Sequence, residues 1–284
     1  MDINIENTTF IIVTYKSEKI VHNCLDSLPE NSNKIVIENS QNLQLKKDLE
    51  STYKNLKVLI NENVGFGASN NLGIKRSNTQ FSYILNPDVI FKKDTFDNLC
   101  RSCSDISDFS IVSPIHSDKN YPNYKIKKKY NFISDNIIEV DDLDGFSMLI
   151  NKNNFDESDY FDENFFLYLE NNDLCLRVKK NNQKIYVIKN SIIEHRGGAS
   201  SDPDFSQIEY LKNWHWMWSK FYYHHKHDSY LYAFMKIFKN LISAFIKTIF
   251  YTILRNNKKK DFYKARLSGC INGLLLKKSW YRID

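Results

Sequence analysis

The sequence contains no run of about 18 uninterrupted apolar residues, the length a helix needs to cross a bilayer, so any membrane contact is expected to be peripheral. It has no cysteine framework. Five cysteines, an odd number without regular spacing, suit a reducing compartment and not a secreted disulfide scaffold. Cys100 and Cys103 have CxxC spacing, but no second pair completes a zinc site. The opening Met1-Asp2-Ile3-Asn4 lacks a basic leader, so no secretory signal is expected and the cytoplasm is the expected compartment. Charge bias is small: 39 Lys plus Arg against 34 Asp plus Glu over 284 residues. That argues against nucleic acid as a partner, while local basic clusters near 125–129 and 255–260 suit a local anion. No repeat or low-complexity linker is visible. With 42% hydrophobic and 14% aromatic residues, the chain can bury the core of a large α/β domain bearing a terminal appendage.

Short apolar runs alternate with polar helical stretches through the first half, the pattern of βαβ units and a mostly parallel sheet. Strands are expected at 10–13, 34–37, 57–60 and 83–85, with helices at 17–28, 43–53 and 67–77. In open α/β sheets ligands gather outside the carboxyl ends of the strands. Chemistry is therefore expected at Thr14-Tyr15, Glu38-Asn39, Asn61 and Asn86-Pro87-Asp88. Residues 117–140 are polar and lysine-rich without periodicity and read as a mobile connection or acceptor-side loop. Strand character returns at 145–150 and a helix at 165–180.

Four segments carry residue types suited to phosphate and sugar chemistry. Gly65 and Gly67 lie in the 63–73 segment between a strand and a helix, where glycine permits close backbone approach and a helix N-terminus offers free N–H groups to phosphate. Asp88 directly follows an apolar strand, where a hard cation could bridge its carboxylate to a diphosphate. Glu170 and Asp173 are three residues apart on one helix face among aromatics; an acid that loses hydration there becomes a general base, whereas pairing with Arg177 would make it structural. His195 and Arg196 follow a strand-like stretch and suit a metal or a phosphate, with Gly197 and Gly198 bringing backbone close. His224, His225 and His227 read as a solvated helix face with no acid nearby.

Together these segments resemble the inverting glycosyltransferase family 2, of GT-A fold, and within it the bacterial rhamnosyltransferases of surface-polysaccharide assembly. The similar stretches are Ile11-Ile12-Val13-Thr14-Tyr15-Lys16-Ser17, Val36-Ile37-Glu38-Asn39-Ser40, 63–73, Leu85-Asn86-Pro87-Asp88, 145–150, 161–177 and 195–201, in family order over roughly 8–220, with a weaker echo at 277–282. The resemblance implies that Thr14, Tyr15 and Glu38 contact the nucleoside. It implies that Asn63, Gly65, Gly67 and Asn70 shape the nucleotide site, and that Asn86 and Asp88 stand for the family's Asp-x-Asp motif. Asp88 would then hold Mg2+ or Mn2+, with His195 a further ligand. Two positions depart from the pattern: Glu38 stands where aspartate is usual, and Asn171 stands where the usual base is found. An amide accepts no proton at neutral pH, which leaves Glu170 or Asp173.

The expected organisation is a catalytic domain over 1–222, with a nucleotide-binding half to about 115, and a helical basic region over 223–284. Residues 229–254 form an amphipathic helix with Lys236, Asn240, Ser243 and Lys247 on one face, suited to a membrane interface or to a second copy of the chain. The expected reaction moves a sugar from dTDP-rhamnose, or alternatively a UDP-hexose, to a saccharide or polyprenyl-linked acceptor. A non-catalytic saccharide- or membrane-binding scaffold is the rival reading. A sugar nucleotidyltransferase is less suited, because Thr14-Tyr15-Lys16-Ser17 is not a glycine-rich loop.

Overall fold

The computed structural model describes residues 2–126, 131–156, 160–196 and 205–283. Twelve strands and eight α-helices are found among them. In order they are β1 (Thr8–Thr14), α1 (Glu18–Ser27), β2 (Asn33–Glu38), α2 (Leu43–Thr52), β3 (Leu56–Ile60), α3 (Phe66–Arg76), β4 (Phe81–Leu85), β5 (Val89–Phe91), α4 (Thr95–Ser104) and β6 (Ile111–His116). There follow β7 (Tyr124–Lys125), β8 (Asn131–Ser134), β9 (Ile137–Glu139), β10 (Asp142–Leu143), β11 (Ser147–Asn151), α5 (Glu170–Lys180), β12 (Ile185–His195), α6 (Phe205–His227), α7 (Tyr230–Ile253) and α8 (Asn257–Leu274). Two compact units result: 1–162 with 171–201, and 163–170 with 202–284. The expected boundary at 222 falls inside α6.

The first unit is built on one sheet of order β3-β2-β1-β4-β11-β6-β12-β9-β8, with β5 paired to β12. Strands β1 to β4 are mutually parallel. β11 runs antiparallel to both β4 and β6, and β12 is parallel to β6. The carboxyl ends of β1, β2, β3, β4, β6 and β12 therefore share one edge. All seven residues of β1 are buried, as a strand covered on both faces must be. Its period-two alternation sends Phe10 and Ile12 to a layer with Val21 and Leu25 of α1, Leu49 of α2 and Leu99 of α4. Ile11 points the other way, toward Ile74 of α3 and Leu174 and Val178 of α5.

The approach of α3 to β1 depends on Gly73. A Cβ there would run into the Ile11 Cγ2 atom. Gly73→Ala is expected to destabilise the chain by about 1–3 kcal/mol through overpacking, offset only in part by the roughly 1 kcal/mol that alanine gains in helix propensity. A fall in the denaturant midpoint checks this.

Two expectations need correcting. Part of the 117–140 connection is ordered into short strands: β9 pairs antiparallel with β12, β8 with β9, and β7 with β10. Their few residues lack the alternation that marks longer strands. The helix expected from 165 begins instead at Glu170, because Tyr168 and Leu169 adopt left-handed φ of 72° and 70° that no α-helix accommodates.

In the second unit α6, α7 and α8 pack around Met217, Phe221, Ala233, Ile237 and Cys270. The segment after α8 is tied down by Trp218 Nε1, which donates to the Lys277 carbonyl at 2.8 Å, and by His215. His215 Nε2 lies 2.8 Å from the Tyr281 carbonyl, so that nitrogen carries the proton, and Nδ1 is left to accept from the Ser279 hydroxyl at 3.1 Å. Burial keeps this imidazole neutral, its pKa lowered to about 3. His224 has Asp228 beside it at 3.2 Å, so the histidine cluster does have an acid neighbour.

Candidate active site

At the shared edge of the sheet, the turn after β4 carries Asn86-Pro87-Asp88. Strand β5 then pairs antiparallel with the end of β12 in a register that sets His195 opposite Val89. This pairing joins residues 107 positions apart in sequence: His195 Nε2 is 3.2 Å from Asp88 Oδ1, and the Arg196 amide donates to the Asp88 carbonyl at 3.2 Å. Asn86 Nδ2 is 3.5 Å from the same imidazole nitrogen. The ring is held from behind by Phe146, stacked at 4.1 Å between centroids. His116, at the end of β6, places Nε2 3.4 Å from the His195 carbonyl.

Asp88 is only 3% exposed, yet neither carboxylate oxygen accepts a hydrogen bond. A buried carboxylate that is not hydrogen-bonded costs stability unless a cation completes it. The donor set, a carboxylate beside an imidazole, fits Mg2+ or Mn2+. Among the described residues no group of three or more His, Cys, Asp or Glu side chains gathers on one point. A cation held here would have coordination positions open to oxygens from outside the chain. Arg196 is exposed alongside, whereas 197–201, including Gly197 and Gly198, lie outside the described residues.

The remaining residues at this edge organise backbone. Thr14 is fully buried, and its hydroxyl donates to the Ile37 carbonyl at 3.4 Å. Tyr15 is half-buried beneath the Lys16 ammonium, 5.2 Å from its ring centroid. Glu38 is fully buried and already occupied: it accepts from the Ser40 amide at 3.0 Å, the Ser40 hydroxyl and the Asn42 amide at 2.6 Å. It thus shapes the turn from β2 into α2. Asn39, which the sequence flagged only by position, links three elements: it donates to Ser69 Oγ at 2.8 Å and accepts from Asn61 Nδ2 at 3.1 Å. Gly65 caps α3 with φ 104°, a conformation that favours glycine. Asn63 is half-buried and Gly67 buried, while Asn70 donates to the Phe66 carbonyl at 3.0 Å and keeps an unpartnered buried Oδ1.

The two acids near 170 separate. Asp173 has no exposed surface and forms an ion pair with Arg177, Nε to Oδ2 at 2.9 Å. Asn171 donates through Nδ2 to the Leu143 carbonyl at 2.6 Å. Glu170, the first residue of α5, is 5% exposed and its Oε2 is buried without a partner. Burial pushes its carboxyl up to about 7. The residues leading into it are anchored within the second unit. Ser219 Oγ donates to the Leu167 carbonyl at 2.8 Å, Phe166 lies 4.6 Å from the His215 ring, and the Arg282 guanidinium sits 3.7 Å over Phe166. His116 and this anchoring were not read as functional from sequence; Phe146 carried a signal only as part of the 145–150 motif, and Asn39 only by its place at the end of β2.

The model of the family described as glycosyl transferase family 2 matches residues 9–170, more than half of the chain. The chain belongs to glycosyl transferase family 2. Two curated relatives of this family 2 chain are the low-salt glycan biosynthesis hexosyltransferase Agl10 of Haloferax volcanii and the rhamnosyltransferase WbbL of Escherichia coli. The first is 24% identical over 64% of the chain and 64% of its own length, so the match spans less than two thirds of that protein. The second is 26% identical over 59% of the chain and 75% of its own length. Among solved structures, the mannosyltransferase PcManGT of Pyrobaculum calidifontis, in complex with GDP-Man and Mn2+, superposes with a TM-score of 0.56 at 10% identity over 96% of the chain and 88% of its own. Residues 1–349 of S. aureus TarS, in complex with UDP, give 0.53 at 15% identity over 98% and 94%. The fold of this family 2 chain is GT-A: a mostly parallel sheet flanked by helices, with a C-terminal helical region. No helix among the described residues is long and apolar enough to cross a membrane.

Proposed function

We propose that the chain is an inverting glycosyltransferase that moves a sugar from a nucleoside-diphosphate donor to a saccharide or polyprenyl-linked saccharide acceptor. dTDP-rhamnose is the first candidate donor and a UDP-hexose the second. The observation that carries this reading is Asp88: a buried carboxylate that accepts no hydrogen bond, with the His195 imidazole 3.2 Å away, at the edge where α/β sheets bind nucleotides. The rhamnosyltransferase and hexosyltransferase relatives support the choice of donor.

Asp88 and His195 would hold the divalent cation, His195 through the Nε2 atom that faces Asp88 and Asn86. When bound, that cation supplies the positive charge that a departing diphosphate requires. Arg196, exposed beside His195, adds a fixed cation for the same anion. Tyr15 offers a half-buried ring to the nucleoside, next to Thr14. Glu38 acts by fixing the 39–42 turn, since its oxygens are already engaged. The turn at Asn63 and Gly65, with Gly67 and Asn70 in the first turns of α3, presents the amino end of that helix to the nucleotide. Glu170 takes the proton from the acceptor hydroxyl at its free Oε2, while Asp173 keeps Arg177 in place.

A donor panel tests the proposal. Purified protein is incubated with dTDP-rhamnose, UDP-hexoses and GDP-mannose, with and without Mg2+ or Mn2+, and nucleoside diphosphate is measured. Cation-dependent release from one preferred donor is expected. No release from any donor would favour the scaffold reading, to which Asn171 in the usual acid position also points.

A further inference from the structure

Helix α7 turns only a narrow strip toward its neighbours. Its buried residues are Ala233, Ile237 and Ala244, of which Ala233 and Ile237 pack with Met217 and Phe221 of α6 and Cys270 of α8. Most of its large apolar side chains point outward. Leu231, Met235, Phe238, Ile242, Phe245 and Ile249 recur every three or four residues and are 44–65% exposed, and the stripe continues to Ile253 at 74%. Over the 24 residues of the helix, at about 1.5 Å each, it runs roughly 36 Å. An apolar surface of that extent marks an interaction site.

The charge pattern selects the occupant. From Tyr230 to Lys260 the chain carries Lys236, Lys239 and Lys247 along α7, then Arg255, Lys258, Lys259 and Lys260 beyond its end, and no acid at all. At 100° per residue, Lys239 falls close to one border of the stripe, and Lys236 and Lys247 fall further round on the same side, on the polar face. At the corner with α8, Tyr251 and Tyr263 stack at 5.6 Å, with Lys247 4.9 Å over one ring and Lys259 5.2 Å over the other. These contacts hold two of the cations in fixed positions. Acids occur only outside this stretch. Asp228 lies beside His224 at 3.2 Å, and Asp261 beside Lys260 at 3.7 Å. In a two-fold contact between copies each residue faces the same surface on its partner, so cation would oppose cation. A bilayer surface bearing phosphates matches both the apolar stripe and the charge.

We infer that α7 and the 255–260 corner form a membrane-docking face, with the apolar stripe at the acyl boundary of an anionic phospholipid surface and the lysines on its phosphates. This goes beyond the sugar-transfer reading and does not depend on it, because the test measures no activity.

The full-length chain is sedimented with vesicles of phosphatidylcholine alone and of phosphatidylcholine mixed with phosphatidylglycerol. Binding only to the mixed vesicles is expected, weakening as salt is raised. Lys258→Ala/Lys259→Ala/Lys260→Ala should lower partitioning by about 100-fold. Phe245→Asp/Ile249→Asp, at two exposed positions, should abolish binding while leaving the melting curve and the solution mass unchanged. Protein that stays in the supernatant with mixed vesicles at low salt overturns the inference, as does binding that survives the paired aspartates. A dimer that those aspartates dissociate would assign the face to a second copy and overturn it equally.

Discussion

Asp88→Asn is expected to lower sugar transfer by about 1,000-fold or more, the scale of several kcal/mol of lost charge stabilisation, while the melting temperature holds or rises. The two halves of this expectation share one cause. A buried carboxylate without hydrogen bonds is an electrostatic burden on the fold that a bound cation would relieve. An amide removes the burden together with the cation affinity. Nucleoside diphosphate release, measured beside Mn2+-induced thermal shift, checks both halves. Near-normal transfer by the variant, or full wild-type activity in excess chelator, would contradict the role given to Asp88.

Glu170→Gln should cut the rate by about 100-fold to 10,000-fold, the range for a lost general base, with donor binding retained. Because burial raises the Glu170 carboxyl to about 7, kcat/KM of the wild type should climb with pH to a plateau above that value, and the glutamine variant should lose the climb. Stability moves in the opposite sense. The folded-state pKa lies above the ordinary 4.5 of the unfolded chain, so the unfolded state releases its proton first as pH rises. Stability therefore falls between about pH 4.5 and 7, by roughly 3 kcal/mol in all, and the variant should show no such slope. Asp173→Asn acts differently: it breaks the pair with Arg177 and is expected to lower melting temperature as well as rate. A glutamine variant that keeps full rate and an unchanged pH profile would remove Glu170 from the chemistry.

Much of the nucleotide-side architecture was legible in the sequence because it is local. Each of β1 to β4 is a short apolar run ended by polar residues, and the helices between them fall within a few residues of expectation. Asp88 stood out for the same reason, at the end of such a run. The Asp88 and His195 pair was harder to read, since it depends on the register of β5 against β12, a pairing that no spacing encodes. The role of Glu38 was concealed as well: whether an acid faces a ligand or its own turn depends on the backbone two to four residues ahead, here Ser40 and Asn42. The left-handed pair at Tyr168 and Leu169 left no mark, because neither is a glycine and their conformation is imposed by tertiary anchoring. The outward turn of the α7 stripe follows from which face α6 and α8 cover, again a nonlocal fact.

The hydrogen bond from Asn171 to the Leu143 carbonyl bears on how this chain could change over evolutionary time. The amide differs from the usual aspartate by a single group, but that group is the donor. Restoring the carboxylate would set two acceptors face to face at a 2.6 Å contact, in a turn where Gly145 also approaches the Asn171 Cβ closely. A one-step reversion therefore requires the side chain or the 142–145 turn to move as the acid is restored. The sense of one hydrogen bond thus makes the amide easier to keep than to lose.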